Sequence, residues 1–171
     1  MPMTFLALMA PEADPVVGPL RHRHDPSSRR GLGAHLTLLY PFRPSNPEDL
    51  AAVAARVPRF HYTLDRVERF PSTIFLGPTP LDPFQRLFDL LTEAFPDFAQ
   101  GHRQHPRFTP HASIARFVRG TRAQAVVQEL ETRLQESGPI WCEARELVVL
   151  HRDQGPWDVI RRCSLEASDR V

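Results

Sequence analysis

Short apolar runs, and stretches in which apolar and polar residues alternate, recur along the chain, and proline or glycine closes most of them. This pattern predicts strands at Thr4–Ala10, at the runs that begin with His35 and His111, and at Phe60–Phe70, Thr73–Leu76, Ile140–His151 and Trp157–Glu166. Apolar positions three and four apart predict helices within Pro11–Asp25 and at Leu50–Val57, Pro83–Phe95 and Arg122–Glu136. The element order is therefore roughly β-α-β-α-β-β followed by α-β-α-β-β.

This order divides the chain into two comparable halves, with a boundary roughly at residues 77–82. Helices mixed with mostly antiparallel strands are typical of an α+β fold. The length of 171 residues suits a single domain, 1–171, built from two small lobes that share a core.

The same pattern predicts several local details. Asn46 should cap the second helix, and Gly138 should end the last one. The run Arg21–His24 should form the polar end of the first helix. The side chains expected to face inward along the last helix are Ala125, Val126, Leu130 and Leu134.

Two of the predicted strands carry the same short motif. The first consists of His35 and Thr37 with a leucine between them, and the second consists of His111 and Ser113 with an alanine between them. Side chains two positions apart share one face of a strand, so each strand presents an imidazole beside a hydroxyl. If the two strands face each other, two acid–base groups and two hydroxyl donors surround one small pocket.

The paired His-x-Thr/Ser motifs resemble those of the 2H phosphoesterase superfamily, within the branch labelled 2′-5′ RNA ligase-like. The surrounding sequence is similar as well, because HLTLLYPF follows an opening strand TFLALMAP, and FTPHASIARF follows a loop late in the chain. The resemblance covers nearly the whole chain, in order. It implies a two-lobed, pseudo-two-fold fold of mostly antiparallel sheets flanked by helices, with the active-site groove between the lobes.

The residue types suit acid–base catalysis at a phosphodiester. An imidazole titrates near ~6.5, so one histidine can be neutral and its partner protonated near neutral pH. His35 and His111 would be the base and the acid, in an order that the sequence leaves open. Thr37 and Ser113 would donate hydrogen bonds to phosphate oxygens. No Asp, Glu or Cys near the motifs completes a metal shell, so we expect no metal and no cofactor.

Two further residues are candidates for substrate binding. Tyr40 could line the rim of the pocket, although strict strand alternation places it on the face opposite the first histidine. Alternation likewise places Arg116 opposite His111, whereas the family pattern often carries a basic residue there near the phosphate. A bulge or the end of the strand would reconcile the two for Arg116. In the loop Phe98–Pro110, substrate contact and a merely solvated loop are both open for His102, His105 and Arg107.

Composition restricts the function classes. The net charge of +1 provides no electrostatic basis for coating long nucleic acid, whereas a small nucleotide or an RNA end suits it. All 21 basic residues are arginine, which excludes chemistry that needs a lysine amine, such as ligation through an adenylated lysine. Cys142 and Cys163 should be small buried residues in strands.

The expected setting is cytoplasmic. No apolar run approaches the roughly 18 residues that a membrane span requires, and the N-terminal sequence lacks the basic region of a signal peptide. We therefore expect a cytoplasmic monomer with no membrane partner, acting on a small nucleotide or an RNA end.

Three functions compete. The first is a metal-independent phosphodiesterase that hydrolyses 2′,3′-cyclic or 2′-5′-linked phosphates of RNA ends or small nucleotides; its reverse reaction would be 2′-5′ ligation without ATP. The second is a module that binds a nucleotide or an RNA end without turning it over. The third is a structural or partner-binding protein. The intact set of two histidines and two hydroxyls favours the enzyme.

Overall fold

Eight antiparallel strands form one sheet in the computed structural model, which describes residues 2–99 and 108–167. The strands are β1 (Met3–Met9), β2 (His35–Leu39), β3 (Phe60–Phe70), β4 (Thr73–Thr79), β5 (Ala112–Arg116), β6 (Ile140–Ala144), β7 (Glu146–Arg152) and β8 (Asp158–Ser164). Their order across the sheet is β6-β3-β4-β5-β2-β1-β7-β8. The two motif strands, β2 and β5, therefore lie side by side at its centre.

The longer helices cover one face of this sheet. The α-helices of the described residues are α1 (Asp14–His24), α2 (Pro26–Arg29), α3 (Pro47–Ala54), α4 (Asp82–Ala94) and α5 (Gly120–Ser137). The four longer helices pack with the sheet in the main apolar core. On the opposite face β1 places Phe5 and Ala7 in a smaller apolar cluster with Leu32, Val148 and Leu150. None of the described helices is long and apolar enough to span a membrane.

The predicted α+β class is confirmed, and several local predictions are too. Strand β3 has the predicted bounds. Asn46 caps α3 by accepting a hydrogen bond from the backbone N–H of Glu48 at 3.1 Å. Gly138 ends α5 with a φ of +73°, a left-handed conformation that glycine adopts without steric cost. Both cysteines are free and buried, in β6 and β8.

The division of the chain into halves differs from the expectation. Strands β1 and β2 lie in the same half of the sheet as β7 and β8, whereas β3 to β6 form the other half. A boundary at residues 77–82 therefore falls inside the stretch of chain that forms β3 to β6, and not between the two halves of the sheet. The predicted strand Ile140–His151 is in fact two strands, β6 and β7. The chain crosses from one half of the sheet to the other at Arg145, which lies between them. Apolar residues continue on both sides of this crossing, so their pattern does not reveal it.

Two predictions of burial are wrong. Ala125 is exposed and Ala123 is buried instead, because Ala123 lies three residues before Val126 and shares its side of the helix. Arg21, predicted within the polar end of α1, has only 1% of its surface exposed.

The guanidinium of Arg21 links the elements around the centre of the sheet. Its Nε donates to the backbone carbonyl of Ser113 on β5 at 3.2 Å, and Nη1 donates to the carbonyl of Leu32, before β2, at 3.0 Å. Nη2 donates to the carboxylate of Asp25 at 3.3 Å and to the hydroxyl of Ser27 at 3.2 Å. Since β2 and β5 share a single register pair, this side chain is a second link between them.

Replacing Arg21 by methionine should lower the free energy of unfolding by about 3–5 kcal/mol, because the buried carboxylate of Asp25 loses its charged partner. The same replacement at Arg86, exposed on α4, should change that free energy by less than about 0.5 kcal/mol. Urea denaturation of both variants and the parent measures the difference. Equal stability of the Arg21 variant and the parent would show that the guanidinium does not hold these elements together.

Candidate functional site

The four motif side chains lie on one face of the junction between β2 and β5. Leu36 is directly opposite Ala112, and both are buried in the main core. Neighbouring residues on each strand point to the other face, so this register places each histidine opposite the other strand's hydroxyl residue. One cavity of about 980 Å³, at the upper end of the range for small-molecule sites, is lined by His35, Thr37, His111 and Ser113.

The same hydrogen bond holds both histidines. Nδ1 of His35 bonds the backbone carbonyl oxygen of Gly33 at 2.8 Å, and Nδ1 of His111 bonds that of Thr109 at 2.8 Å. A carbonyl oxygen only accepts, so each ring carries a proton on Nδ1. Nε2 is then the ring atom left to exchange a proton with a molecule in the cavity.

A β-bulge follows the hydroxyl residue in each motif. Consecutive residues of β1 pair with Thr37 and with the residue two positions further along, which leaves Leu38 as an extra residue in β2. Consecutive residues of β4 pair in the same way around β5, where Ile114 is the extra residue after Ser113. Beyond such a bulge, side chains face the opposite way from strict alternation.

These bulges bring Tyr40 and Arg116 to the cavity. Each residue lies five positions after its histidine, where strict alternation would place it on the other face. Both line the cavity and both are exposed, Tyr40 by 51%. Of the two routes considered for Arg116, the strand contains the bulge, and Tyr40 reaches the site by an equivalent one.

The sequence model of the 2'-5' RNA ligase superfamily matches residues 9–156, a stretch that contains both motifs. The chain belongs to the 2'-5' RNA ligase superfamily. The resemblance drawn from the two motifs is thereby confirmed. No curated protein matches the chain.

Several solved structures share this fold, and they align with nearly all of the chain. E. coli LigT complexed with 3'-AMP has a TM-score of 0.63 at 19% identity, over 96% of this chain and 99% of LigT. TT0787 of Thermus thermophilus has a TM-score of 0.62 at 19% identity, over 99% and 100%. LigT complexed with NADP+ has a TM-score of 0.62 at 20% identity, over 96% and 97%. At these identities the likeness shows a shared fold.

Burial lowers the pKa of both histidines of this superfamily member. Desolvation lowers the pKa of His35 to about 4, although the hydrogen bond to Gly33 opposes the change. Desolvation also lowers the pKa of His111, and the positive charge of Arg116 adds to this effect. Both rings are therefore neutral at neutral pH in the free protein. The sequence prediction of one neutral and one protonated ring used the pKa of a solvated imidazole. Neither ring is in that environment, because both are partly removed from water in the folded protein.

Aromatic side chains on both sides of the histidine pair line the cavity, and sequence reasoning missed all but Tyr40. On one side, the ring of Phe5 contacts that of His35, and Tyr40 and Trp157 contact Phe5; we call these three the His35 wall. On the other side, the ring of Phe70 contacts that of His111, and Phe117 also lines the cavity; we call these two the His111 wall. They come from distant segments and belong to no common motif or period, so no pattern in the sequence marks them.

The charge of the lining is positive. Arg30, Arg116 and Arg152 line the cavity, and the acidic residue in its lining, among the described residues, is Asp25. That carboxylate is fully buried and lies 3.3 Å from the guanidinium of Arg21. The cavity therefore suits an anion, such as a phosphodiester.

Three candidate contacts, His102, His105 and Arg107, lie outside the described residues, so their part in the site stays a prediction. Within the residues that are described, no group of three or more His, Cys, Asp or Glu side chains could hold a metal ion. Metal independence likewise stays a prediction.

The pKa of His35 predicts how stability depends on pH. The unfolded chain titrates near ~6.5 and the folded chain near about 4, so the unfolded chain binds the proton more readily between these values. The contribution of His35 to the free energy of unfolding should therefore be fully present above the unfolded pKa. It should be lost as the pH falls towards the folded pKa. Thermal unfolding should show a shallower loss for His35→Gln than for the parent over this window, whereas parallel curves would contradict the lowered pKa.

Proposed function

We propose that this member of a superfamily of phosphoesterases and ligases is a metal-independent phosphodiesterase acting through two-histidine acid–base catalysis. Its substrates would be 2′,3′-cyclic or 2′-5′-linked phosphates of RNA ends or small nucleotides. The observation that carries the proposal is the repeated geometry of the two motifs. Two imidazoles, each with its proton on Nδ1, line one cavity beside a hydroxyl. Phosphodiester hydrolysis needs one proton removed from the nucleophile and one delivered to the leaving oxygen.

The pKa shifts suggest which histidine is the base. Desolvation lowers the pKa of His35 to about 4, so its neutral Nε2 takes a proton from the attacking water as the water oxygen bonds to phosphorus. His111 acts as the acid, because a bound phosphate raises the pKa of a nearby imidazole. Its protonated Nε2 then gives a proton to the departing ribose oxygen as the P–O bond breaks. Solvent returns both rings to their starting states.

The remaining lining residues hold the phosphate in this mechanism. The hydroxyls of Thr37 and Ser113 donate to the non-bridging oxygens, where negative charge increases in the transition state. The guanidinium of Arg116 adds a positive charge beside them. Tyr40, at the exposed rim, contacts the nucleoside.

The comparisons support the substrate class. LigT has been solved with 3'-AMP and with NADP+, and each of these ligands carries a phosphate on a ribose hydroxyl. ATP-free 2′-5′ ligation would be the same chemistry in reverse, and it needs no lysine. The two free, buried thiols suit a reducing compartment, so the proposal places the protein in the cytoplasm; the proposal also takes it to be a monomer.

One observation favours the alternative, a module that binds nucleotides without turnover. Both histidines are neutral in the free protein at neutral pH, and a neutral pair lacks the proton that the acid must deliver. Whether a bound phosphate restores that proton to one of the rings distinguishes the phosphodiesterase from the binding module.

In the presence of EDTA, the protein should hydrolyse at least one of a panel of nucleoside 2′,3′-cyclic phosphates and 2′-5′-linked dinucleotides. Replacing either His35 or His111 by glutamine should lower kcat roughly 10²–10⁴-fold, and the double variant should be little worse, since the two act as a unit. Replacing the hydroxyl of Thr37 or Ser113 should cost roughly 10²–10³-fold. His61→Gln, exposed on β3 outside the cavity, is the matched control and should keep the parent rate.

Three results would count against the proposal. A histidine variant with near-parent rate would exclude the acid–base pair. Nucleotide binding without any turnover would favour the binding module. Loss of turnover in EDTA that zinc or manganese restores would contradict metal independence.

A further inference from the structure

The carbonyl that holds each histidine belongs to a peptide group, and the two peptide groups differ in one atom. Behind His35, the carbonyl oxygen is that of Gly33, and the same peptide group contains the N–H of Ala34. Behind the second histidine, the carbonyl oxygen is that of Thr109, whose peptide group continues into Pro110. Proline has no N–H. Of these two peptide groups, only the one behind the first histidine can therefore donate a hydrogen bond.

A carboxylate accepts that hydrogen bond. The N–H of Ala34 donates to Oδ1 of Asp14 at 2.9 Å, and Ala34 is only 1% exposed, so the bond is shielded from water. Asp14 is the first residue of α1, where the helix dipole stabilises a negative charge. A carboxylate, a peptide group and the imidazole of His35 therefore lie in one continuous chain of hydrogen bonds.

The glycine at position 33 leaves room for the carboxylate. A Cβ at this position would lie 3.0 Å from Oδ2 of Asp14, and its three nearest atoms would all belong to that carboxylate. The backbone of Gly33 is not left-handed, so conformational freedom does not explain the residue. The close approach of the carboxylate does explain it.

This chain of hydrogen bonds makes the two histidines chemically different. The N–H and C=O of one peptide group are conjugated, and hydrogen bonds in series polarise one another. A negative charge at the N–H therefore increases the negative charge on the carbonyl oxygen of Gly33. That oxygen then binds the Nδ1 proton of His35 more strongly and stabilises the positive charge that the ring gains when Nε2 takes a proton. His111 lacks this support, which suits a ring that must give its proton away.

We propose that Asp14 is a positioning residue that prepares His35 to act as the base, through the peptide group between Gly33 and Ala34. This inference rests on the proposed phosphodiesterase function for its catalytic role. No proton passes along the peptide group. The proton of the attacking water goes to Nε2, the Nδ1 proton stays in place, and Asp14 keeps its charge throughout.

Other charged groups also face His35. The charge of Arg21 on α1 lowers its pKa, that of Asp25 between α1 and α2 raises it, and that of His111 lowers it. Three arginines line the same cavity: Arg30, Arg116 and Arg152. Asp14 lies 4.0 Å from the guanidinium of Arg21, and its side chain is 42% exposed, so solvent screens its charge through space. The test must separate the action through the peptide group from the action of charge alone.

The first variant is Asp14→Asn, which removes the charge and keeps an oxygen that accepts from the N–H of Ala34. At neutral pH, proton NMR of the free protein should show the Nδ1 proton of His35 shifted upfield, because its hydrogen bond weakens. The Nδ1 proton of His111 should not move. The value of kcat should fall about 10- to 100-fold, the cost of removing a carboxylate behind a histidine in metal sites. The acid limb of the kcat/KM profile should move to lower pH, since the base loses basicity.

The matched control is Asp82→Asn. Asp82 is the first residue of α4 and precedes a proline, just as Asp14 is the first residue of α1 and precedes a proline. It lies outside the cavity. Its replacement measures the cost in melting temperature of losing a charge at a helix N-terminus, and it should leave the rate and both Nδ1 proton shifts at their parent values.

The second variant is Gly33→Ala, which keeps the charge of Asp14 and pushes its carboxylate away from the N–H of Ala34. The amide proton of Ala34 should shift upfield as its hydrogen bond lengthens, the Nδ1 proton of His35 should follow, and kcat should fall. This variant also decides the inference should Asp14→Asn fail to fold.

Three results would overturn the inference. They are an unchanged Nδ1 proton of His35 in Asp14→Asn, an equal shift at His111, and a Gly33→Ala variant in which the amide proton of Ala34 moves while the Nδ1 proton of His35 does not. The NMR measurements use the free protein, so they decide the inference without any substrate. A parent that turns over no phosphodiester would contradict the proposed function instead.

Discussion

The buried guanidinium of Arg21 is the contact on which the site depends. The two motif strands share a single register pair, too little by itself to fix the relative position of two imidazoles. Arg21 adds bonds from α1 to the Ser113 carbonyl on one strand and to the Leu32 carbonyl before the other. Its charge is balanced by Asp25, which is fully buried and also accepts hydrogen bonds from the backbone N–H and hydroxyl of Ser27. Removal of either partner would leave a charge in the interior.

Around this link, each half of the site uses the same local backbone device. A carbonyl two residues before each histidine holds Nδ1, and a bulge after each hydroxyl residue turns the side chain five positions after the histidine into the cavity. The side chains at these last positions differ, Tyr40 in one half and Arg116 in the other. A nearly symmetric scaffold therefore carries an asymmetric site, which fits the proposed division of roles between a base and an acid.

The motifs and the residues that form the elements could be predicted from local patterns, because alternation and helical spacing are properties of neighbouring residues. Strict alternation alone placed Tyr40 and Arg116 on the wrong face, since a bulge depends on the partner strand; both were nevertheless candidates for the site, Arg116 through the bulge that the strand contains. Local reasoning missed the burial of Arg21, whose hydrogen-bond partners include Ser113, far away in the chain. It also missed Phe5, Trp157 and Phe117, which share a cavity only after folding. The crossing at Arg145 was hidden because both strands that meet there are apolar.

The central claim is that the two imidazoles take complementary roles on one bound phosphate. Nitrogen-15 NMR of the histidine side chains, at neutral pH with and without a non-cleavable 2′-5′ phosphonate analogue, tests it directly. In the free protein both His35 and His111 should be neutral, with the proton on Nδ1. In the complex His111 should gain a proton on Nε2 while His35 stays neutral. Rings that carry their proton on Nε2 when free, or that both remain neutral in the complex, would contradict the account.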